Sequence, residues 1–573
     1  MEGLEKPADL MELTGFPKTE GGFPRRQRPT GAAGERGMEP VSGDPLLREL
    51  LRFAVRCRAL ALLLQAVFNL LIPDHAADAF SPPRLSEPGP ADLLLERLLG
   101  GLSRWDAEHF LFIAERGYLY EHNCAFFPLY PLSLRAGAEA ALWPLRRLLR
   151  LRSRLLLSAA LLNSLFAILA AAALYKLGCA VLRCRRAAFL ATALFCVSPA
   201  NVFLAAAYSE SMFCCLAFGA MWRLERGQRW RGALLFSLAT GARANGVVNA
   251  GFLLYSCAKR LALRLRLRSG SLLLWKQLLS AASSAVACAG VLLPFVVFQY
   301  YAYMMFCVPN VQRAVPEPLL QLALDKGYRL AGARGAPPPW CSQRFPAVYP
   351  YIQDVYWNVG FLRYFELRQI PNFLLALPVT LLSSWAAWTY VSANPRHCLT
   401  LGLERTNSGE ENKASAGFCG PAVFVYMVHA TALLLLGFFC MHVQRLPQSI
   451  SKALCPVPTD GMRDELTLNA THALTRQVLT RFLGSSSPIL YWFSAHLLQE
   501  HEPLLWSDGT DGEPASPGGG RPGSRGDGAA ANPVLRLLSR WSLLTPLSKC
   551  VLGFFLSYWL LGLLLHCNFL PWT

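Results

Sequence analysis

The chain has 573 residues, of which 53% are hydrophobic and only 16% carry a charge. Soluble domains average about 25% charged residues, so this balance argues against a soluble protein and favours one that crosses a membrane several times. The formal net charge is +18, but the basic residues gather at the ends of apolar segments and lack interleaved aromatics, which argues against nucleic-acid binding.

The N-terminal residues 1–45 are rich in Gly, Pro and charge and contain no apolar core of a cleavable signal peptide. Such composition predicts a disordered extension. Arginines at 48, 52, 56 and 58 then precede the apolar residues 59–72. Because positive charge marks the cytoplasmic end of a membrane helix, this pattern predicts a signal-anchor with a cytoplasmic N-terminus. We expect residues 46–573 to form one membrane domain.

Apolar segments recur along that domain and predict an all-α polytopic membrane protein with roughly eight to twelve transmembrane helices. The basic clusters at 146–154 and 183–186 do not alternate across these spans. Either the segment 155–182 is re-entrant, or one basic loop faces outward. The predicted spans are 50–72, 126–145, 155–176, 187–206, 208–222, 232–257, 278–305, 371–392, 421–443, 478–498 and 549–570.

Polar segments between the spans predict two sizeable loops, at 73–125 and 306–370. If 50–72 enters from the cytoplasm, the first loop is lumenal, and a lumenal second loop would close over it. Cys124 and Cys341 lie in these loops and could form disulfides, although sequence alone does not give the pairing. Residues 445–477 interrupt an apolar segment as a probable insert that carries the one glycosylation sequon, at Asn469. Residues 506–533 form a low-complexity loop.

The first loop carries the strongest chemical signal, because Asp106, Glu108 and His109 follow closely after the first predicted span. Ionisable groups beside a bilayer usually have a partner or a function. A carboxylate next to Trp105 favours acid–base chemistry on a lipid-linked substrate. The alternative is that Ser103 or Asp106 simply caps a helix over 107–116.

Polar residues within or beside later apolar segments supply further candidates. Arg243 would neutralise a phosphate group, since guanidinium matches phosphate oxygens bidentately, or it would form a structural pair with Glu210. Tyr130 belongs to an aromatic and proline belt that either stacks on a sugar or polyprenyl chain or anchors the chain at the interface. Trp357 and Asn358 would bind an acceptor glycan or pack at the rim of the second loop.

Several stretches of the chain closely resemble the GPI mannosyltransferase 2 (PIG-V) family, and the similarity runs from residue 50 to residue 573. The resemblance implies an endoplasmic-reticulum glycosyltransferase of GT-C architecture, which takes mannose from dolichyl-phosphate-mannose on the lumenal side. It further implies that the second, α1,6-linked mannose is added to a Man-GlcN-acyl-PI glycolipid. The stretches that carry the resemblance are 105–110, 126–128, 198–203, 356–361 and 564–573.

The family's acidic first-loop motif maps onto Trp105 and Asp106, which implies that Asp106 is the catalytic base, with Trp105 and Glu108 beside it. A β-linked donor and an α-linked product imply a single inverting displacement, in which a cation stabilises the departing phosphate. The candidates for that cation are Arg243, Arg116 and His109, in that order. The predicted substrate-binding residues are His109, Arg116, Tyr130, Asn201, Glu210, Arg243, Asn245, Trp357 and Asn358.

The sequence contains no DxD pair of the kind that holds Mg²⁺ on a nucleotide sugar, so we expect neither a metal nor another cofactor. The expected partners are the dolichyl-linked donor, the GPI intermediate and the lipids of the endoplasmic-reticulum membrane, with any accessory membrane subunit undefined. Two other classes remain open: a lipid or glycolipid transporter, and a non-catalytic glycosyltransferase subunit. The transporter hypothesis predicts internal repeats, and none is visible in the sequence.

Overall fold

The predicted all-α architecture is confirmed by a computed structural model, in which the regular structure of the described residues is helical apart from one bridge between Tyr120 and Leu330. The unit Pro45–Thr573 is compact. The insert at 445–477 lies outside the described residues, as do nearly all of the predicted N-terminal extension and nearly all of the low-complexity loop. The described residues are 44–75, 79–265, 271–308, 314–332, 337–357, 359–362, 370–403, 416–440, 478–505 and 532–570.

The described residues contain 20 α-helices. In chain order they are α1 (Pro45–Leu71), α2 (Pro90–Leu99), α3 (Asp106–Arg116), α4 (Leu129–Ala136), α5 (Leu151–Leu182), α6 (Arg185–Cys196), α7 (Asn201–Ala205), α8 (Glu210–Glu225), α9 (Arg229–Ala242), α10 (Ala250–Leu265), α11 (Ser271–Phe306), α12 (Glu317–Lys326), α13 (Val348–Val355), α14 (Ile370–Ala393), α15 (Pro395–Leu399), α16 (Phe424–Cys440), α17 (Val478–Ser486), α18 (Ile489–His501), α19 (Pro533–Ser539) and α20 (Pro546–Cys567).

Six of these helices are long and apolar enough to cross a membrane: α1, α5, α11, α14, α16 and α20. In α1, α11 and α14 only 28% of the most apolar window is buried against the rest of the protein. Apolar side chains that face outward over such a length require lipid as their solvent. These six helices coincide with six of the predicted spans.

The other five predicted spans are shorter or interrupted helices. Proline accounts for two of these differences, because it lacks a backbone N–H and disfavours helix at the residue before it. Pro199 separates α6 from α7, and Pro488 separates α17 from α18. In the span 126–145, α4 ends at Ala136 and the chain continues as a π-helical turn over Gly137–Ala141. Of the remaining two spans, 208–222 forms the 16-residue α8, and 232–257 breaks between α9 and α10.

The basic cluster at 146–154 contacts the first loop. The predicted span 126–145 is not among the six helices that are long and apolar enough to cross a membrane. The backbone N–H of Arg150 donates to Asp92 Oδ1 at 2.9 Å, and Arg152 forms an ion pair with Glu108. Since α5 is one continuous helix of 32 residues, it is not re-entrant, and 146–154 is the basic loop that shares a face with Asp106.

The second loop packs directly on the first. Beside the bridge between Tyr120 and Leu330, the N–H of Ala331 donates to the carbonyl of Leu119 at 2.9 Å. Apolar side chains of α12 then pack against Phe112 and Tyr120. Cys341 forms a disulfide with Cys307, whereas Cys124 is a buried free thiol. The expectation that the two loops associate is therefore met, with only Cys341 of the two predicted cysteines in a disulfide.

Candidate active site

Asp106 is the first residue of α3, and an unusual backbone conformation precedes it. Trp105 occupies the N-cap with φ 59° and ψ −129°, a region that bulky residues rarely adopt. Its indole ring is buried and packs edge-on against Phe569 at 5.4 Å between ring centroids. Ser103 does not cap the helix, because its hydroxyl donates to the carbonyl of Gly100 at 2.8 Å. The packed Trp105 ring thus fixes where α3 begins and where the Asp106 carboxylate is placed.

The carboxylate of Asp106 meets Arg481 of α17, whose Nη1 lies 2.8 Å from Asp106 Oδ2. The same guanidinium donates through Nε to Glu210. It also lies over the ring of Tyr208, with 4.6 Å between the guanidinium carbon and the ring centroid. Although burial alone lowers the pKa of Arg481, the carboxylates of Glu210 and Asp106 raise it above its ordinary value. Arg481 is therefore a permanent cation at this site.

Glu210 joins this arrangement to a second arginine. Its side chain is completely buried and forms ion pairs with both Arg481 and Arg243. Arg243 Nε donates to Asn245 Oδ1 at 3.4 Å, and Asn245 Nδ2 donates to Ser486 Oγ of α17 at 3.0 Å. We call Asp106, Arg481, Glu210 and Arg243 the four-charge cluster. Its two carboxylates and two guanidiniums balance in formal charge, which makes their burial tolerable.

Three of the four members of the four-charge cluster lie at helix ends. Asp106 and Glu210 are the first residues of α3 and α8, where the positive end of the helix dipole stabilises a carboxylate. Arg243 follows directly after the last residue of α9. The break between α9 and α10 that interrupts a predicted span therefore places a guanidinium at the cluster. Non-helical backbone at membrane depth is tolerated where it is enclosed in protein or lines a cavity.

Glu108 and Arg116 lie on a different side of α3 from Asp106. Two residues correspond to about 200° of rotation around a helix, so Glu108 points away from the cluster and pairs with Arg152. Arg116 pairs with the adjacent Glu115 at 3.1 Å. Both predicted residues line a cavity of ≈ 290 Å³ between α2, α3 and the start of α5.

His109 and Tyr130 pack inside the first loop region. The His109 ring stacks between Phe80 and Phe126, with ring centroids 4.3 and 4.6 Å away. His109 Nδ1 also lies 3.2 Å from Asn123 Oδ1. Tyr130 is fully buried beside Asn163.

The remaining predicted residues are not members of the four-charge cluster. Asn201 begins α7, and its side-chain oxygen accepts a hydrogen bond from Arg58 of α1. Trp357 of the second loop packs edge-on toward Phe126, with 6.1 Å between centroids. Asn358 lies outside the described residues. The structure thus brings four predicted residues together (Asp106, Glu210, Arg243 and Asn245), and it adds Arg481.

Another buried carboxyl group, that of Glu121, was not among the predicted site residues. Trp340 Nε1 donates to Glu121 Oε1 at 2.8 Å, and the Tyr356 hydroxyl donates to Oε2 at 3.0 Å. Burial raises the pKa of Glu121, although these two hydrogen bonds lower it in part. Both donors come from the second loop, so Glu121 is a joint between the two loops.

Most of the chain matches known mannosyltransferases. A family model described as Mannosyltransferase (PIG-V) matches residues 47–457 and 464–573, which include the four-charge cluster and leave only 458–463 of the predicted insert unmatched. GPI alpha-1,6-mannosyltransferase 2 of Cricetulus griseus is 55% identical over 532 residues, covering 92% of this chain and 99% of that protein. The protein of the same name from Homo sapiens is 54% identical over 538 residues, with the same coverage. GPI mannosyltransferase 2 of Drosophila pseudoobscura pseudoobscura is 30% identical over 463 residues, covering 78% of this chain and 91% of that protein.

Proposed function

The chain belongs to the PIG-V mannosyltransferase family, and we propose that the four-charge cluster is where it transfers mannose. The enzyme is an α1,6-mannosyltransferase of GPI-anchor biosynthesis that adds the second mannose. In our proposal the donor is dolichyl-phosphate-mannose and the acceptor is the Man-GlcN-acyl-PI intermediate. The observation that carries this assignment is the Asp106 carboxylate, which begins α3 and lies beside the guanidinium of Arg481.

Asp106 acts as the general base in this proposal. Its carboxylate accepts the proton of the acceptor 6-hydroxyl while that oxygen attacks the anomeric carbon of the donor. A single displacement converts the β-linked donor into the α-linked product. The guanidinium of Arg481 supports this role in two ways: it favours the ionised carboxylate, and it holds Oδ2 in a fixed direction.

Arg243 is the proposed ligand of the donor phosphate. Its side chain is 17% exposed, whereas the Glu210 side chain to which it is paired is 0% exposed, so the guanidinium lies at the accessible edge of the cluster. A guanidinium presents two parallel donors to phosphate oxygens. Because the leaving group is already a phosphate, the reaction needs no metal to hold a nucleotide, and we propose a metal-independent transfer.

We place the active site on the lumenal side of the endoplasmic-reticulum membrane and the N-terminus in the cytoplasm. The disulfide between Cys307 and Cys341 lies in the loop that packs on the first loop, and disulfides persist in oxidising compartments such as that lumen. The basic residues that precede α1 favour the same orientation.

Rescue of cells that lack the second GPI mannose tests the proposal. Wild type should restore GPI-anchored proteins to the cell surface, and Asp106→Asn should not, while the one-mannose intermediate accumulates. Glu139→Gln is the matched control, because it changes a carboxylate in the turn after α4 that pairs with Arg135 and Arg154 away from the cluster. Full rescue by Asp106→Asn at equal expression would refute the assignment of the base.

A further inference from the structure

We propose that Arg481 is a catalytic residue that changes partner during the reaction, pairing with Asp106 before transfer and with the departing lipid phosphate after it. This inference rests on the proposed function. It identifies the cation that stabilises the negative charge developing on the departing phosphate. The sequence alone gave only Arg243, Arg116 and His109 as candidates for that cation.

The geometry of Arg481 suits a change of partner. Its two contacts use different nitrogen atoms: Nε donates a hydrogen bond to Glu210, and Nη1 donates one to Asp106. The guanidinium also rests on the rings of Tyr208 and Phe203, at 4.6 and 5.2 Å from their centroids. Glu210 and the two rings would therefore keep the arginine in place while the Nη1 contact alone is exchanged. The Arg481 side chain is 12% exposed, so it is within reach of a group that enters the site.

The charges of the reaction require such an exchange. The donor is a phosphate diester with one negative charge, and Asp106 starts with another. In the transfer, the acceptor oxygen bonds to the anomeric carbon, and the bond from that carbon to the phosphate oxygen breaks. The proton passes from the acceptor hydroxyl to Asp106, and the electron pair of the broken bond stays on the phosphate. Asp106 becomes neutral and the lipid monophosphate carries two negative charges.

Protonation of Asp106 therefore releases Arg481 at the moment when the phosphate gains charge. A neutral carboxyl group binds a guanidinium much more weakly than a carboxylate does. Arg243 is not released in this way, because its partner Glu210 takes no part in the proton transfer. Stabilisation that develops only as charge develops lowers the transition state rather than the ground state.

Binding of the product lipid tests this exchange, with a short-chain polyprenyl monophosphate as the probe and detergent-solubilised full-length protein. Asp106→Asn mimics the neutral carboxyl group, so we expect it to bind the monophosphate about tenfold more tightly than wild type, since one charge-assisted hydrogen bond is gained. The affinity for polyprenyl-phosphate-mannose, which carries one charge less, should change by less than about threefold. Glu139→Gln should leave both affinities at their wild-type values.

Arg481→Gln completes the design. Added to Asp106→Asn, it should abolish the gain in monophosphate affinity. If Asp106→Asn leaves that affinity unchanged or weakens it, the exchange of partners is refuted. The isosteric Asp106→Asn variant decides the question alone if Arg481→Gln does not fold. Failure of wild type to transfer mannose would refute the proposed function instead, because the binding assay does not depend on turnover.

Discussion

The indole N–H of Trp340 donates to Glu121 Oε1 at 2.8 Å across 219 positions of sequence, which joins the second loop to the first. The Tyr356 hydroxyl binds the other oxygen of the same carboxyl group. Since Glu121 is fully buried, both oxygens obtain from the protein the hydrogen bonds that water would otherwise supply. The two loops therefore stabilise each other and, through α3, the position of Asp106.

Replacement of Glu121 by alanine should destabilise this joint. Trp340 Nε1 and the Tyr356 hydroxyl would lose their shared acceptor, and each buried unsatisfied donor costs about 1–3 kcal/mol. Glu121→Gln keeps an oxygen for Trp340 and should retain most of the stability. Thermal unfolding of the detergent-solubilised protein measures both variants. Equal midpoints for the alanine and glutamine variants would contradict the role of these hydrogen bonds.

The stability of the folded protein should also decrease in acid, because His122 is buried beside this joint. Burial, and to a lesser extent the neighbouring His109, lower the pKa of His122 well below its ordinary value of 6.5. The unfolded chain takes up the proton first, so stability present above about pH 6.5 is lost as the pH falls through and below that value. The unfolding midpoint should therefore drop between about pH 7 and pH 5, and His122→Phe should reduce this drop.

Glu121 contributes to the pH dependence in the opposite sense. Burial raises its pKa, so the folded state takes up a proton before the unfolded state and gains stability as the pH falls. Glu121→Gln removes this compensation and should make the loss of stability in acid steeper than in wild type. A shallower loss in that variant would mean that the sign assigned to Glu121 is wrong.

The backbone conformation of Trp105 gives a prediction from two substitutions of the same residue. Trp105→Ala and Trp105→Gly both remove the ring that packs on Phe569. Only the alanine variant has a side chain that is strained at φ 59° and ψ −129°. Such a conformation costs a non-glycine residue about 1–3 kcal/mol. The glycine variant should therefore be the more stable of the two and should rescue more surface GPI-anchored protein. An alanine variant at least as stable as the glycine variant would contradict strain at this position.

Loss of the disulfide should destabilise the second loop. Cys307 and Cys341 are 34 positions apart, and a cross-link that closes a loop of this length stabilises a fold by about 3–4 kcal/mol in the chain-entropy model. The double variant Cys307→Ser/Cys341→Ser should unfold at a lower temperature than wild type. Reductant should lower the midpoint of wild type toward that of the variant, whose own midpoint should not respond.

Much of the cluster could be predicted from sequence because isolated charges in apolar segments are conspicuous. Glu210 and Arg243 were selected on that ground, Asp106 was selected as an ionisable group beside the first predicted span, and the structure brings the three together. Arg481 gives the same signal within the predicted span 478–498, but it was not among the predicted site residues. Its contact with Asp106 spans 375 positions, and no local pattern in a sequence encodes a pairing at that distance.

The breaks in the helices and the role of Glu121 were harder to predict. Hydropathy is averaged over a window, so the segments around Pro199 and Pro488 remain apolar enough to suggest continuous spans although each proline ends a helix. A carboxyl group in a polar loop is most simply interpreted as solvated. Glu121 becomes buried only because Trp340 and Tyr356 arrive from the second loop, which is a tertiary effect.

Placement of both cluster carboxylates at the first position of a helix also bears on how this protein tolerates changes in length. One residue inserted within a helix turns everything downstream by about 100°, which would misdirect a functional side chain carried further along the helix. Asp106 and Glu210 lie upstream of every such insertion in α3 and α8. A change of length in the C-terminal part of either helix should therefore leave the direction of both carboxylates unchanged.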